Sequence, residues 1–311
     1  MFSIFLKVLD FAIPILIMIF VGLFGTGILI ELGFMQKFSG IVKPLFKYTN
    51  LPDTCASSFM VALGSTVAAN SMVVNFRDGG CIDDRETMLC AVFNSTPAYI
   101  REILTYQIPI VLPALGAVVG GFYVMVFILT AIVKISTVII LSRIFLKKNR
   151  CQYEENISSK KVTLKDAIKK SLKRNRKLFT KIVVIYLAMT TLVFYLRDIG
   201  AFESFNVLPL AEVFGIPAES IVPLTTYVAS PILGISLLGP MISSNSISYH
   251  QAMVVLMLGS MFMLPFFSFR TLLPRYVSIF GPRIGVRIVA FSTGISILVR
   301  FCILLILLSI A

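Results

Sequence analysis

The chain has 311 residues, 57% of them hydrophobic and only 14% charged, with a net charge of +13 and a mean hydropathy of +0.92. A soluble domain carries about 25% charged residues, so the composition excludes one and predicts an all-α, polytopic membrane protein in contact with the lipid bilayer. A single histidine excludes multi-histidine metal centres and zinc-dependent intramembrane proteolysis, and five scattered cysteines without a C-x-x-C argue against a disulfide framework or a zinc site.

The first apolar run, 11–30, is long enough to cross a hydrocarbon core of roughly 30 Å. It reads as a retained span, because Lys7 is its only flanking cation and no small-x-small cleavage site follows. Next comes a run of small and polar residues, Leu63-Gly64-Ser65-Thr66-Val67-Ala68-Ala69-Asn70-Ser71. Such residues let helices approach closely and hydrogen-bond across them, so Asn70 and Ser71 serve either as helix glue or as solute contacts. An acidic turn (Asp78, Asp83, Asp84, Glu86) separates it from the segment 85–107.

That segment carries Asn94-Ser95-Thr96-Pro97 and then Arg101-Glu102. Pro97 removes a backbone donor, and a charge at the bilayer centre costs about 2.5–3.5 kcal/mol on insertion scales. The segment is therefore predicted to enter the membrane broken or re-entrant, lining protein or water rather than lipid. Two readings of its charges stay open. In one, Asn94, Ser95, Thr96 and Arg101 contact a solute and Glu102 couples transport to a proton or cation. In the other, Glu102 forms an internal salt bridge, for example to Arg270.

The apolar run 108–133 leads to a basic stretch. Of 28 Lys and Arg, 14 fall between Arg143 and Lys181, against Glu154, Glu155 and Asp166. Short basic loops stay cytoplasmic, so the placement of charge points to topology and anionic lipid headgroups, and away from nucleic acid. Thr163-Leu164-Lys165-Asp166 resembles a capping box. Leu164, Ile168, Leu172 and Leu178 then recur among lysines, predicting an amphipathic helix on the inner membrane surface.

The runs 182–196 and 288–310, the latter interrupted only by Arg300, bound a second half that matches the first at an offset of 165. Pro52 pairs with Pro217, Ser65 with Ser230, Ser71 with Ser236, Met88 with Met253 and Ser95 with Ser260. Pro109, Gly116 and Gly120 pair with Pro274, Gly281 and Gly285. The chain thus divides into membrane repeat 1–146, a cytoplasmic linker 147–180, and membrane repeat 181–311. Equivalent loops carry opposite charge bias. Lys37, Lys43 and Lys47 correspond to a linker with Asp198, Glu203, Glu212 and Glu219, while Arg275, Arg283 and Arg287 replace Ile110, Val118 and Phe122. By the positive-inside rule the repeats are inverted. Each half then needs an odd number of crossings, so three full spans and one non-crossing segment are expected per half, near 85–107 and 250–273, with both termini outside.

Ala68-Ala69-Asn70, a polar loop, and Phe93-Asn94-Ser95-Thr96 resemble the Gate, or nucleoside-recognition, domain over about residues 51–123. That domain is shared by spore maturation membrane proteins, the pore region of B-type ferrous iron transporters and concentrative nucleoside transporters. The resemblance implies a helical membrane protein with a pore or solute-binding role, and it supplies no substrate. The chain has no G-domain fingerprint.

The functional expectation is a transporter or channel-like permease, in the cell membrane, for a small polar solute or ion bound near the midplane between the repeats. Its candidate contacts are Asn70, Ser71, Asn94, Ser95, Thr96, Arg101, Ser230, Asn245 and Arg270. The alternative is a non-transporting scaffold or assembly protein with a closed polar core. No catalytic residues, metal or cofactor are expected, and a homo-oligomer is compatible with the sequence.

Overall fold

The computed structural model describes residues 46–147, 164–198 and 220–310, with Phe214 and isolated positions between Leu6 and Ile28. All regular structure among these residues is helical. Helix α1 (Asp53–Gly64) starts after Pro52 and carries Asp53 in its first turn, where a carboxylate favours the helix dipole. It stops at Ser65, whose extended backbone (φ −150°, ψ 110°) reverses the chain into α2 (Thr66–Asp78), and the Ser65 hydroxyl oxygen accepts from the Ala68 amide. The two helices pack on each other.

A turn through Gly80 (φ 73°) leads to α3 (Asp84–Phe93), opened by a reciprocal capping box between Asp83 and Glu86. Helix α4 (Thr96–Glu102) runs into a wide-turned π segment, Ile103–Val111. Helix α5 (Leu112–Phe145) follows, broken at Gly116 (φ 78°, ψ 169°).

In the second part, α6 (Leu164–Asp198) begins where the Thr163 capping box predicts its first turn and runs without a break past residue 180. Helices α7 (Ile221–Ala229) and α8 (Pro231–Ser243) form a second packed pair, reversed at Ser230. Helix α9 (Tyr249–Phe267) continues through a π segment (Ser268–Leu272) into α10 (Leu273–Phe280). Gly281 (φ 84°) separates it from α11 (Pro282–Ile310).

The backbone landmarks of the two halves recur 165 positions apart. Ser230 has φ −151° and ψ 105°, matching Ser65. Asn245 (φ 56°) takes the left-handed place of Gly80, and Gly281 that of Gly116. Ser248 and Gln251 form the capping box of Asp83 and Glu86, and the π segments begin at Ile103 and Ser268. Side-chain-free crossings recur too. A Cβ on Gly120 would lie 2.8 Å from the Leu112 Cα, and one on Gly285 would lie 2.7 Å from the Val277 Cα.

Among the described residues, Leu112–Phe145, Tyr249–Phe280 and Pro282–Ile310 are long and apolar enough to cross a membrane. Near 85–107 the helix is interrupted at Asn94–Ser95, between α3 and α4, as expected, whereas 250–273 lies within the long apolar run Tyr249–Phe280. Asn94 keeps helical angles (φ −62°, ψ −14°), and the Ser95 amide still bonds to the Val92 carbonyl at 3.1 Å. Pro97 falls in the first turn of α4, where a missing donor costs little. The chain reverses instead at Ser65 and Ser230. Helices α1 and α2 have 12 and 13 residues and α7 and α8 have 9 and 13. At 1.5 Å per residue none exceeds about 20 Å, too short to span.

Two units emerge. The first joins Met1–Ala98, Lys134–Tyr195 and Leu273–Ala290; the second joins Tyr99–Val133, Leu196–Leu272 and Phe291–Ala311. Each unit thus contains one helical pair together with residues from the opposite half. In the first, Arg77 at the end of α2 donates from Nη1 to the Phe280 carbonyl of α10 at 3.3 Å. In the second, Gly239 of α8 lies against the Ala114 carbonyl, with no room for a side chain.

Two candidate sites within the units

In the first unit, a polar knot sits at the base of the first helical pair. Asn70, Asn94 and Ser58 are 1%, 1% and 0% exposed, deep among Phe46, Phe59 and Phe93, whose rings lie 4.8–6.0 Å apart. The Asn94 Nδ2 donates to Ser58 Oγ at 3.2 Å and to Asn70 Oδ1 at 3.5 Å. The Ser58 hydroxyl in turn reaches the Cys55 carbonyl at 2.9 Å. Cys55 is disulfide-bonded to Cys90, their Cα atoms 6.0 Å apart, so α1 is tied to α3 one turn before Asn94. The sequence argued against disulfides because its cysteines are scattered. Packing α1 on α3 brings two of them together.

In the second unit the equivalent space is filled differently. Gly259 stands where Asn94 stands in the first half, and the Tyr227 ring covers it: a Cβ on Gly259 would lie 2.8 Å from Tyr227 Cδ1. The Tyr227 hydroxyl hydrogen-bonds that of Tyr123, and both side chains are fully buried. Beside them lies Arg300, only 2% exposed. Its Nε donates to Ser260 Oγ at 3.1 Å and its Nη1 to the Ser296 carbonyl at 3.0 Å. Its Cζ sits 5.3 Å from the centroid of the Phe127 ring. Tyr99 joins the same network through Ser296 Oγ at 3.0 Å. Glu102 feels the charges of Arg300 and Arg101, and Tyr106 interacts electrostatically with Glu102, Tyr123 and Tyr227.

Of the residues the sequence nominated, the structure brings Asn70 and Asn94 together. Ser71 is buried, but its hydroxyl donates to the Val67 carbonyl at 3.0 Å. Ser95 and Thr96 likewise donate to Val92 and Phe93 carbonyls, at 2.6 and 2.7 Å. Ser230 is half-buried at the reversal between α7 and α8, and does not cap α8 as Ser65 caps α2. Asn245 occupies an exposed left-handed turn. Arg101, Glu102 and Arg270 are exposed. A second-half cation that acts on Glu102 is Arg300.

Arg300, Tyr123, Tyr227 and Ser58 escaped the sequence reading. Arg300 did leave a signal, as the one charged residue within the apolar run 288–310. The tyrosines left none, since a tyrosine in a span reads as an interfacial anchor.

Residues 12–118 match the Gate family, described as nucleoside recognition. The chain's relatives include three uncharacterized proteins of Methanocaldococcus jannaschii. MJ0880 is 23% identical over 98% of this chain and 99% of its own length. MJ0871 is 24% identical, over 93% and 90%, and MJ1556 is 28% identical, over 94% and 92%. No solved structure matches. The Gate match spans the first helical pair and the Asn70–Asn94 knot, and it ends just past the Gly116 break.

Proposed function

We propose that the protein is a multi-pass membrane transporter or channel-like permease for a small polar solute or ion. The observation that carries this reading is the pair of short reversed helices, α1–α2 and α7–α8, each turned by an extended serine. Irregular backbone at membrane depth is tolerated where protein buries it or where it lines an aqueous cavity, and interrupted helices at corresponding positions of two halves mark solute sites in transporters. Both reversals keep uncommitted hydroxyls. Thr66 Oγ is buried without a partner, and Ser230 leaves α8 uncapped. The Gate domain, described as nucleoside recognition, supports the same reading.

The short pairs also support inverted repeats. If neither pair crosses, the first half crosses with the segment 11–30, the helical run from Asp84 to the Gly116 break, and the helix 117–145. The second crosses with α6, the run Tyr249–Phe280, and α11. Three crossings each turn the second half upside down relative to the first, as the loop charges require. The basic linker 147–180 then lies in the cytoplasm of a cell whose plasma membrane holds the protein. Its helix α6 exposes Leu164, Ile168 and Leu172 among Lys165, Lys169, Lys170 and Lys173, a face suited to anionic lipid.

A scaffold role is the second reading, favoured by the way Ser58, Asn70 and Asn94 satisfy one another. Reconstitution separates the two. Purified protein in liposomes is expected to take up at least one solute from a panel of nucleosides, metabolites and inorganic ions, saturably. A panel that leaves both uptake and thermal stability unmoved would leave the scaffold reading standing alone.

A further inference from the structure

Arg300 poses a problem that the fold does not solve by itself. A guanidinium inside an apolar helix must have its charge balanced, and removing a charge from water is compensated only by good partners. Arginine offers five N–H donors. Among the described residues, the groups that contact this one, the Ser260 hydroxyl, the Ser296 carbonyl and the Phe127 ring, are all neutral. The Tyr123 hydroxyl beside it is bonded to that of Tyr227. Glu102 lies near enough to Arg300 to be influenced by it but, among the described residues, closes no contact ion pair.

A second observation points to a missing partner. The Tyr106 hydroxyl and both amide atoms of Gln107 are buried without a hydrogen-bond partner. Both residues lie in the π segment Ile103–Val111, directly after Glu102. Buried polar groups are ordinarily satisfied, and π segments recur at functional sites. Tyr106 packs against the buried cluster that holds Tyr123, Tyr227 and Phe127, the last of which lies under the Arg300 guanidinium.

We propose that Arg300, with the hydroxyls of Tyr106 and Tyr123, forms a binding site for the anionic group of a small solute, a carboxylate or a phosphate. A planar guanidinium matches either group with two parallel hydrogen bonds, and the tyrosine hydroxyls are neutral donors that add no competing charge. Glu102 compensates Arg300 when the site is empty, and the arriving anion takes over that role. Binding at this site stands apart from transport; only the statement that the anion is the carried solute rests on the transport reading.

The experiment measures thermal stability of the purified full-length protein in detergent against inorganic phosphate, succinate, uridine as a neutral control, and phosphatidylglycerol in mixed micelles. Saturable stabilisation by phosphate or succinate is expected. Arg300→Gln should abolish it, Arg300→Lys should weaken it about tenfold by losing the paired geometry, and Glu102→Gln should tighten it several-fold by removing the competing carboxylate. A merely structural Arg300 predicts no gain from Glu102→Gln, so that variant decides even if Arg300→Gln fails to fold. Stabilisation by phosphatidylglycerol alone, lost in Arg300→Lys, assigns the same chemistry to a lipid headgroup. No stabilisation by any anion, or equal stabilisation in the wild type and Arg300→Lys, overturns the proposal. Labelled phosphate and succinate uptake into liposomes is read separately. Binding without uptake removes the transport reading and leaves the site, whereas uridine uptake untouched by Arg300→Lys, with no anion binding, removes the site and leaves transport.

Discussion

Asn94 and Gly259 occupy the same point of the two halves, 165 positions apart, and their surroundings have diverged around that difference. Where Asn94 projects, Ser58 and Asn70 receive it; where Gly259 projects nothing, the Tyr227 ring moves in. Each arrangement predicts its own cost. Asn94→Ala leaves Asn70 and Ser58 buried with a partner lost, which should destabilise the protein by about 1–3 kcal/mol. The neighbouring hydroxyl of Ser71 bonds only its own helix, so Ser71→Ala should stay within about 0.5 kcal/mol. Denaturant-induced unfolding of both variants in detergent checks the contrast, and equal losses would mean that the knot contributes nothing of its own. Gly259→Ala forces a Cβ to 2.8 Å from Tyr227 Cδ1. Overpacking of this kind costs about 1–3 kcal/mol, and it should lower the melting temperature even though alanine is the better helix former.

At the scale of elements, the reversed pairs and the disulfide act together. The bond between Cys55 and Cys90 closes a loop with a sequence separation of 35 around α2, fixing the first helical pair against α3. A bridge over such a loop stabilises by about 2–4 kcal/mol, chiefly through the unfolded chain. A Cys55→Ser, Cys90→Ser double variant should therefore lose that much. Thiol labelling of the unreduced, denatured wild type should leave both cysteines unmodified, and ready labelling of both would contradict the bond. Much of this architecture was legible in the sequence. The Gly, Pro and Ser matches at an offset of 165 fall on the positions where the backbone needs a particular conformation: Ser65 and Ser230 in extended form, Gly116 and Gly281 at positive φ. What was not legible is which interruption reverses the chain. Asn-Ser-Thr-Pro does break the helix, at Asn94–Ser95, but the backbone there stays near helical angles and Pro97 opens the next helix in its first turn. Ser65, flanked by Gly64 and Thr66 and carrying no proline, turns the chain because α1 and α2 pack on each other. The Arg300 network was hidden for a related reason. Its members come from α4, the π segment after it, α5, α7, α9 and α11, and sequence distance says nothing of their meeting.

At the scale of the whole chain, the exchange of segments bears on how the halves came to fit. Each unit takes its helical pair from one half and, from the other half, a segment that contains or directly follows the π segment. The contacts are reciprocal: α2 with α10 in one unit, α8 with the start of α5 in the other. Each half's last long helix also buries one cation, Lys134 in α5 and Arg300 in α11, at nearly matched positions. Such reciprocity follows if two copies of one fold assemble around a two-fold axis, and for a membrane protein the direction of that axis decides the topology. An axis in the membrane plane inverts the halves; an axis along the normal keeps them parallel. Asp78 and Ser243 are equivalent positions at the ends of α2 and α8, and both are exposed. With Cys302, the described free cysteine, replaced by serine, Asp78→Cys and Ser243→Cys each introduce a labelling site at matched points. The inverted arrangement predicts that a membrane-impermeant maleimide applied to intact cells labels one of the two, and that the other is labelled only after the cells are opened. Labelling of both from the same side would make the halves parallel. The loop charges would then need another cause, and three crossings per half could not be right.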